Sequence, residues 1–483
     1  MKLREYLYEA EERYYITPAS VAAIGVFIIA IITLFVPPYI GMADNGDYFR
    51  ILYSNGLFFN DPNYDSKYLG YFIKNYGIFQ YFNENGSSIF SSQSIFIKLS
   101  LLINQWFYSS EIFDIRIQAA IYLVLYVIGI YLLVEALTWK LRNIKAYIIS
   151  LLTIFIFADT AYTAFFNSFF SESVVLISLI YMVASLLLIR VGRYNVYVLL
   201  IVFTAASLLL TTSKQQNAPV GVIIAFMGIL LIFVKRNKIY RIITAISLST
   251  ILFAGIGSYI LISDEFQNIN MFHAMNRGIL LNSSDPEAAL ESFGIDRQYA
   301  VLSGDIYYLP YSTVDVNSNM LLENYYNKYG SFSILAYYIM HPNKAAEMMD
   351  LAAKTGFAIR PAAMGNYEIS VGKEFGAQTS FFSLYSDMKQ ASAPKTFGFI
   401  VIWSGVIIGY FAPTIISAIR KKDREAMITF PLMLTLIAIA ISAMLVSIVG
   451  AGDADLAKHQ FLFTACFDVI TYLFISSWLG RKL

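Results

Sequence analysis

Charge is scarce in this 483-residue chain: 14% of residues are charged, where a soluble domain carries about a quarter. Cysteine is almost absent. The single Cys466 lies inside an apolar run, which excludes a disulfide framework and any cysteine-based metal site. Net charge of one sign is lacking too, since 34 Lys and Arg face 33 Asp and Glu. That near-balance gives no electrostatic footprint for nucleic acid, so nucleic acid is not expected as a partner. No HExxH, GxSxG or P-loop pattern occurs, so the common short signatures of soluble enzymes are missing.

What is present is apolar. Hydrophobic residues make up 58% of the chain and mean hydropathy is +0.59. The charges gather in short clusters between long apolar runs. A bilayer imposes that pattern, because a span needs roughly 20 apolar residues and only helices or closed barrels satisfy their backbone groups in lipid. The runs are too long and too uniformly apolar for barrel strands. They predict an all-α polytopic membrane protein with about ten spans, at 19–40, 118–139, 146–165, 174–190, 196–213, 218–234, 242–262, 396–419, 427–450 and 461–479. The first is longer than the apolar core of a signal peptide and is expected to stay uncleaved.

Loop charge predicts orientation. Five connections are basic: Lys140, Arg142 and Lys145; Arg190 and Arg193; Lys235, Arg236, Lys238 and Arg241; Arg420, Lys421, Lys422 and Arg424; Arg481 and Lys482. All fall on one side under a ten-span count, which makes both termini cytoplasmic. The expected organisation is a first membrane part over 1–262 (seven spans, with an outer loop at 41–117), an external segment over 263–395 and a second membrane part over 396–483 (three spans). Within the outer loop, Ser94–Phe107 is apolar but short and should lie as an interfacial helix. The external segment has helix punctuation at Asp285-Pro286-Glu287 with Gly294, and at His341-Pro342 running to Gly356, and reads as mostly helical.

The spans hold few ionisable groups: Glu135, Asp159 and Asp468, each toward a span end. Ion-coupled transporters usually carry carboxylates near the midplane, so this scarcity argues against that class. Polar chemistry sits instead at the outer mouths. GMADNGDYFR after the first span carries Asp44, Asp47 and Arg50. Two carboxylates three residues apart can bind a cation or supply a general base; the plain alternative is a turn, which Asn-Gly-Asp suits. FFNSFFSES holds Asn167 and Glu172, the latter a candidate carboxylate of raised pKa or simply a first-turn acid. TTSKQQNAP holds Lys214 and Gln215, a candidate phosphate contact or a snorkelling lysine. GAGDADLAKHQF holds Asp453, Asp455, Lys458 and His459; Lys458 and His459 could contact phosphate or a hydroxyl, or the four could be solvated loop charges.

In these segments the chain resembles the GT-C superfamily of membrane glycosyltransferases, in which the first span runs into an outer loop opening on an acidic motif, here Asp44-Asn45-Gly46-Asp47. A nearer likeness is to the bacterial hexose transferases of cell-surface glycan biosynthesis, carried by MADNGDYFR (42–50), FNSFFSES (166–173), NRGIL and DPEAALESFGID (within 276–296), IRPAAMGNYE (359–368) and GDADLAKHQFLF (452–463). The resemblance implies transfer of a hexose from a polyprenyl-phosphate-linked donor to a glycan acceptor, with inversion, at the outer face of a bacterial cell membrane. Asp44, Asp47 and Glu172 would then be catalytic. Asp44, nearer the helix end, is favoured as base, with Asp47 as an orienting or metal ligand. Lys214, Arg277, Lys458 and His459 would meet the donor phosphate, and Arg50, Asn167 and Gln215 the sugars. A divalent metal such as Mg or Mn stays open. Two other classes stay open as well: a flippase or transporter of lipid-linked glycans, and a polymerase or ligase of surface polysaccharide.

Overall fold

The computed structural model describes residues 16–81, 89–139, 141, 143–309 and 311–480. Lys140, Arg142, Arg481, Lys482 and the N-terminal residues before 16 lie outside the described residues, and so do the expectations that rest on them. The protein is an all-α polytopic membrane protein. Among the described residues, eight helices are long and apolar enough to cross a membrane: Pro18–Phe35, Ile115–Thr138, Glu172–Arg190, Gln215–Phe233, Lys238–Ile260, Phe397–Lys421, Ala426–Ala451 and Phe461–Gly480.

The other two expected spans differ from simple rods. The third is broken. Ile144–Phe157 and Thr160–Asn167 meet at a 51° bend. Asp159 makes the break by accepting the Ala161 N–H at 2.8 Å, so it starts a new helical turn and ends the old one. The fifth, Val196–Thr212, is apolar but has 17 residues. The first helix stops at Phe35, earlier than its apolar run, because Pro37 and Pro38 bring no N–H to continue it.

Cross-contacts sort the connections into two ends. At one end, Arg193 meets Glu135 at 3.2 Å, Lys235 pairs with Glu425, and the Arg424 Nη1 donates to the Phe233 carbonyl at 3.1 Å. These join the basic connections. At the opposite end, or mouth, the two long segments meet the short polar loops. The Ser92 N–H donates to the Thr212 carbonyl at 3.0 Å, and the Gly41 N–H to the Asn366 carbonyl at 3.1 Å.

The first long segment contains a small antiparallel sheet that alternation did not reveal. β1 (Leu57–Phe58), β2 (Asn75–Ile78) and β3 (Ile112–Asp114) pair in that order, with Leu57 opposite Ile78 and Tyr76 opposite Phe113. Strands this short carry too few residues to show a period of two. Between β2 and β3, the helix Gln93–Phe107 buries Gln93, Ile97, Ser100 and Asn104 and exposes Ile95, Leu99, Leu102 and Trp106. Its polar side faces protein and its apolar side faces outward, as suits a helix in contact with lipid.

The second long segment is mostly helical. Asp285 caps Pro286–Ser292 by accepting the Ala288 N–H at 3.0 Å, and Pro342–Gly356 follows His341. Its last helix, Leu384–Ser392, plugs into the bundle. The Lys389 Nζ donates to both oxygens of Asp468 at 2.8 Å, and the Tyr162 hydroxyl adds a bond to Asp468 at 2.5 Å. The Ser386 N–H and hydroxyl both donate to Asp159, at 2.9 and 2.8 Å. The few acids of the spans are therefore paired, each with a specific partner, which is how a buried charge is tolerated.

Candidate functional site

The site begins where the first span leaves the bundle. Residues 40–43 run extended along residues 364–367 of the second long segment. The Ala43 N–H donates to the Gly365 carbonyl at 2.9 Å, and the Asn366 Nδ2 donates to the Gly41 carbonyl at 2.8 Å. Asn366 is oriented in turn by the buried Arg360, whose Nη1 donates to Asn366 Oδ1 at 2.8 Å while Nη2 donates to the Thr379 carbonyl at 2.7 Å. The chains approach so closely at Gly365 that a Cβ there would lie 1.9 Å from the Gly70 carbonyl oxygen. IRPAAMGNYE therefore acts as a cradle that aims residues 44–47.

Asp44 is 4% exposed, and both its oxygens are occupied. Oδ1 accepts the N–H groups of Gly46, Asp47 and Tyr48 at 2.9, 3.1 and 3.1 Å, and Oδ2 accepts the Tyr64 hydroxyl at 2.6 Å. The turn works because Gly46 takes φ +97°, a region that only glycine enters freely. Asp44 thus organises the start of the helix Tyr48–Ser54. Burial raises its pKa, and the Tyr64 and backbone hydrogen bonds pull the other way.

Asp47 points the other way. Its side chain is 51% exposed and forms an ion pair with Lys458, which is 3% exposed. Burial works to raise the Asp47 carboxyl, but the Lys458 charge overrides it and holds the group at about 2. Lys458 also donates to Asn45 Oδ1 at 3.1 Å and sits 4.3 Å from the Phe170 ring centre. The Asn45 Nδ2 donates to Asp455 Oδ2 at 2.6 Å, and Asp455 sits at φ +47°. The 44–47 turn and the loop before the last span are thus joined by a double polar clasp.

Two further short loops reach the same place. Lys214 pairs with Glu172 at 3.3 Å. His459 Nδ1 lies 2.6 Å from Gln216 Oε1, and the Gln216 Nε2 donates to the His459 carbonyl at 2.9 Å. Burial, with Lys214 and Lys458 beside it, lowers the His459 pKa to about 3. Gln215 Oε1 is buried and has no hydrogen-bond partner among the described residues.

Asp47, Glu172, Lys214, Lys458 and His459 thus gather at one mouth, with Asp44 beneath Asp47. Arg277 comes close by another route. It lies on a π-helical turn, Ala274–Leu280, and its guanidinium holds Asp453 with bonds of 2.5 and 2.9 Å while a third donor meets the Gly304 carbonyl at 2.9 Å. That grip sets the loop that carries Lys458 and His459. Arg50 lies apart from the clasp, donating to the Tyr308 hydroxyl at 2.9 Å with its guanidinium 4.4 Å from the Phe49 ring centre. Asn167 is fully buried and donates to the Ile40 carbonyl at 2.8 Å, beneath the turn.

Sequence reasoning gave no part to Tyr64, to Lys389 or to Tyr68, whose hydroxyl donates to the Asn45 carbonyl at 2.8 Å; Gln216 and Arg360 lie in segments it singled out, but without the partners that the fold gives them. Among the described residues, no three His, Cys, Asp or Glu side chains are placed to hold a metal ion, and the Asp47 carboxylate is engaged by Lys458. The residues do not fit a metal site.

The family described as YfdI N-terminal transmembrane domain matches residues 4–483, nearly the whole chain. No curated protein and no solved structure matches it.

Proposed function

Because the chain belongs to the YfdI N-terminal transmembrane domain family, we propose that it is a membrane glycosyltransferase of GT-C type. It transfers a hexose from a polyprenyl-phosphate-linked donor to a cell-surface glycan acceptor, at the external face of a bacterial cell membrane, with its termini in the cytoplasm. The observation that carries this reading is the clasp between Asp47 and Lys458, with Lys214–Glu172 and His459 alongside. A carboxylate and two ammonium groups at a membrane mouth suit one reaction type: attack by a hydroxyl with loss of a phosphate.

In this reading the two acids exchange the roles that their positions in the sequence suggest. Asp44 is the anchor, since its oxygens already accept four donors. Asp47 is the base, since half of its side chain faces outward. The acceptor hydroxyl gives its proton to Asp47 as its oxygen bonds to the anomeric carbon, and the bond from that carbon to the lipid phosphate breaks. Lys458 and Lys214 stabilise the charge that develops on the departing phosphate. When the donor enters, its phosphate competes with Asp47 for Lys458. The carboxylate then loses the charge that depresses it and becomes a better base. Arg277 contributes indirectly, by holding Asp453 and hence the loop that carries Lys458.

The test is incubation of the purified protein with labelled polyprenyl-phosphate hexose and glycan acceptors. Transfer of one labelled sugar is expected. The double variant Asp47→Asn/Lys458→Met removes both charges of the pair and should fold, yet lose about 10² to 10⁴ in rate. Translocation of the lipid without transfer, or normal turnover in the double variant, would sink the proposal.

A further inference from the structure

We propose that Gln216 is a positioning residue that holds His459 in its Nδ1–H tautomer, leaving Nε2 as an acceptor for a sugar hydroxyl beside Lys214 and Lys458. The sugar assignment rests on the glycosyltransferase reading; the tautomer rests on geometry alone.

Gln216 lies on a one-turn 3-10 helix, Gln215–Asn217, directly after Lys214. Its amide grips His459 twice. Nε2 meets the His459 carbonyl at 2.9 Å and Oε1 meets the ring Nδ1 at 2.6 Å. An amide can be turned end for end, but here the carbonyl decides. It only accepts, so the amide NH₂ must face it, and the amide oxygen must face Nδ1. That oxygen also only accepts, so Nδ1 carries the proton. In a neutral ring Nε2 then holds a lone pair, and among the described residues it has no hydrogen-bond partner. The Ser447 hydroxyl steadies the same carbonyl at 3.3 Å.

The charges around the ring keep it neutral. Burial opposes a second proton most, followed by Lys214 and Lys458; Asp47 favours it, and His273 opposes it slightly. The phosphate of a polyprenyl-phosphate hexose is a diester with no proton to give. It cannot donate to Nε2, so a lone pair there repels it. A hydroxyl donates readily. His459 is therefore a sugar contact, in place of the phosphate contact expected from its neighbour Lys458.

Three histidines in the whole chain make this testable by 15N NMR of the protein labelled at histidine. His459→Gln assigns the resonance. The expected spectrum shows a proton on Nδ1 of His459, and a mixture of tautomers in Gln216→Leu. A proton on Nε2, or on both nitrogens, at neutral pH overturns the proposal. Polyprenyl-phosphate hexose should then shift the Nε2 resonance, and a polyprenyl methyl phosphate diester, which carries no sugar and no ionisable proton, should not. Equal shifts from both lipids, or none from either, overturn the hydroxyl site. Labelled-sugar transfer by the same preparation judges the glycosyltransferase reading separately.

Discussion

Replacing Asp47 with asparagine should destabilise the protein more than replacing Lys458 with methionine, although the two form one ion pair. The asymmetry follows from exposure. Lys458 is 3% exposed, whereas the Asp47 side chain is 51% exposed. In Asp47→Asn the ammonium stays buried without its ion-pair partner, and only the charges of Asp455 and Glu172 still act on it. Breaking a fully buried pair costs about 3–5 kcal/mol. Here the Asn45 oxygen at 3.1 Å and the Phe170 ring at 4.3 Å remain as partners, so a loss of about 2–3 kcal/mol is expected. In Lys458→Met the orphan is Asp47, which turns to water, and the cost approaches the ~0–1 kcal/mol of a surface pair. The double variant removes both charges and should recover most of the loss. Cys466 supplies the assay. It is the one cysteine of the chain and is fully buried, so a thiol-reactive fluorogenic dye reports unfolding directly. The expected order of Tm is wild type, then Lys458→Met, then the double variant, with Asp47→Asn lowest. If Lys458→Met unfolds at or below the temperature of Asp47→Asn, the reasoning is wrong and the lysine is not held by the carboxylate.

Topology is checked with one added cysteine at a time, Cys466 being buried: Ser54→Cys and Ser303→Cys should label from outside intact cells and Asn237→Cys should not, and the reverse pattern would invert the protein. Lys389→Met strips the fully buried Asp468 of its cation and leaves it the hydroxyls of Tyr162 and Tyr385; a loss near the low end of about 3–5 kcal/mol is expected by the same dye assay, with recovery in Lys389→Met/Asp468→Asn. Stability should also depend on His459. Its folded pKa of about 3 lies below the ordinary 6.5, so the folded protein binds fewer protons than the unfolded chain. This contribution is complete above pH 6.5 and is lost as pH falls from 6.5 toward 3. His459→Gln should therefore flatten the acid decline of Tm between pH 6.5 and 4, and an unchanged slope would show that the ring is not buried neutral.

Much of this protein is determined within short windows of sequence. Apolar runs mark the spans, because the thickness of a bilayer translates directly into a count of residues. Pro37 and Pro38, Asp285 with Pro286, and His341 with Pro342 mark helix ends, because capping and proline act over one turn. The polar clusters at 44–47, 167–172, 214–216 and 453–459 were legible too, as departures from an apolar background. Their partnerships were not. Asp47 and Lys458 stand 411 residues apart, and a paired lysine looks the same in sequence as a solvated one. Only the packing of the helices decides which loops share a mouth. The difference between Asp44 and Asp47 belongs to the same level. Both are aspartates in one turn, and the path of the chain past Gly365 and Tyr64 buries one and turns the other outward. Burial and charge pairing set what a carboxylate can do, and both are sums over neighbours that the chain brings in from a distance.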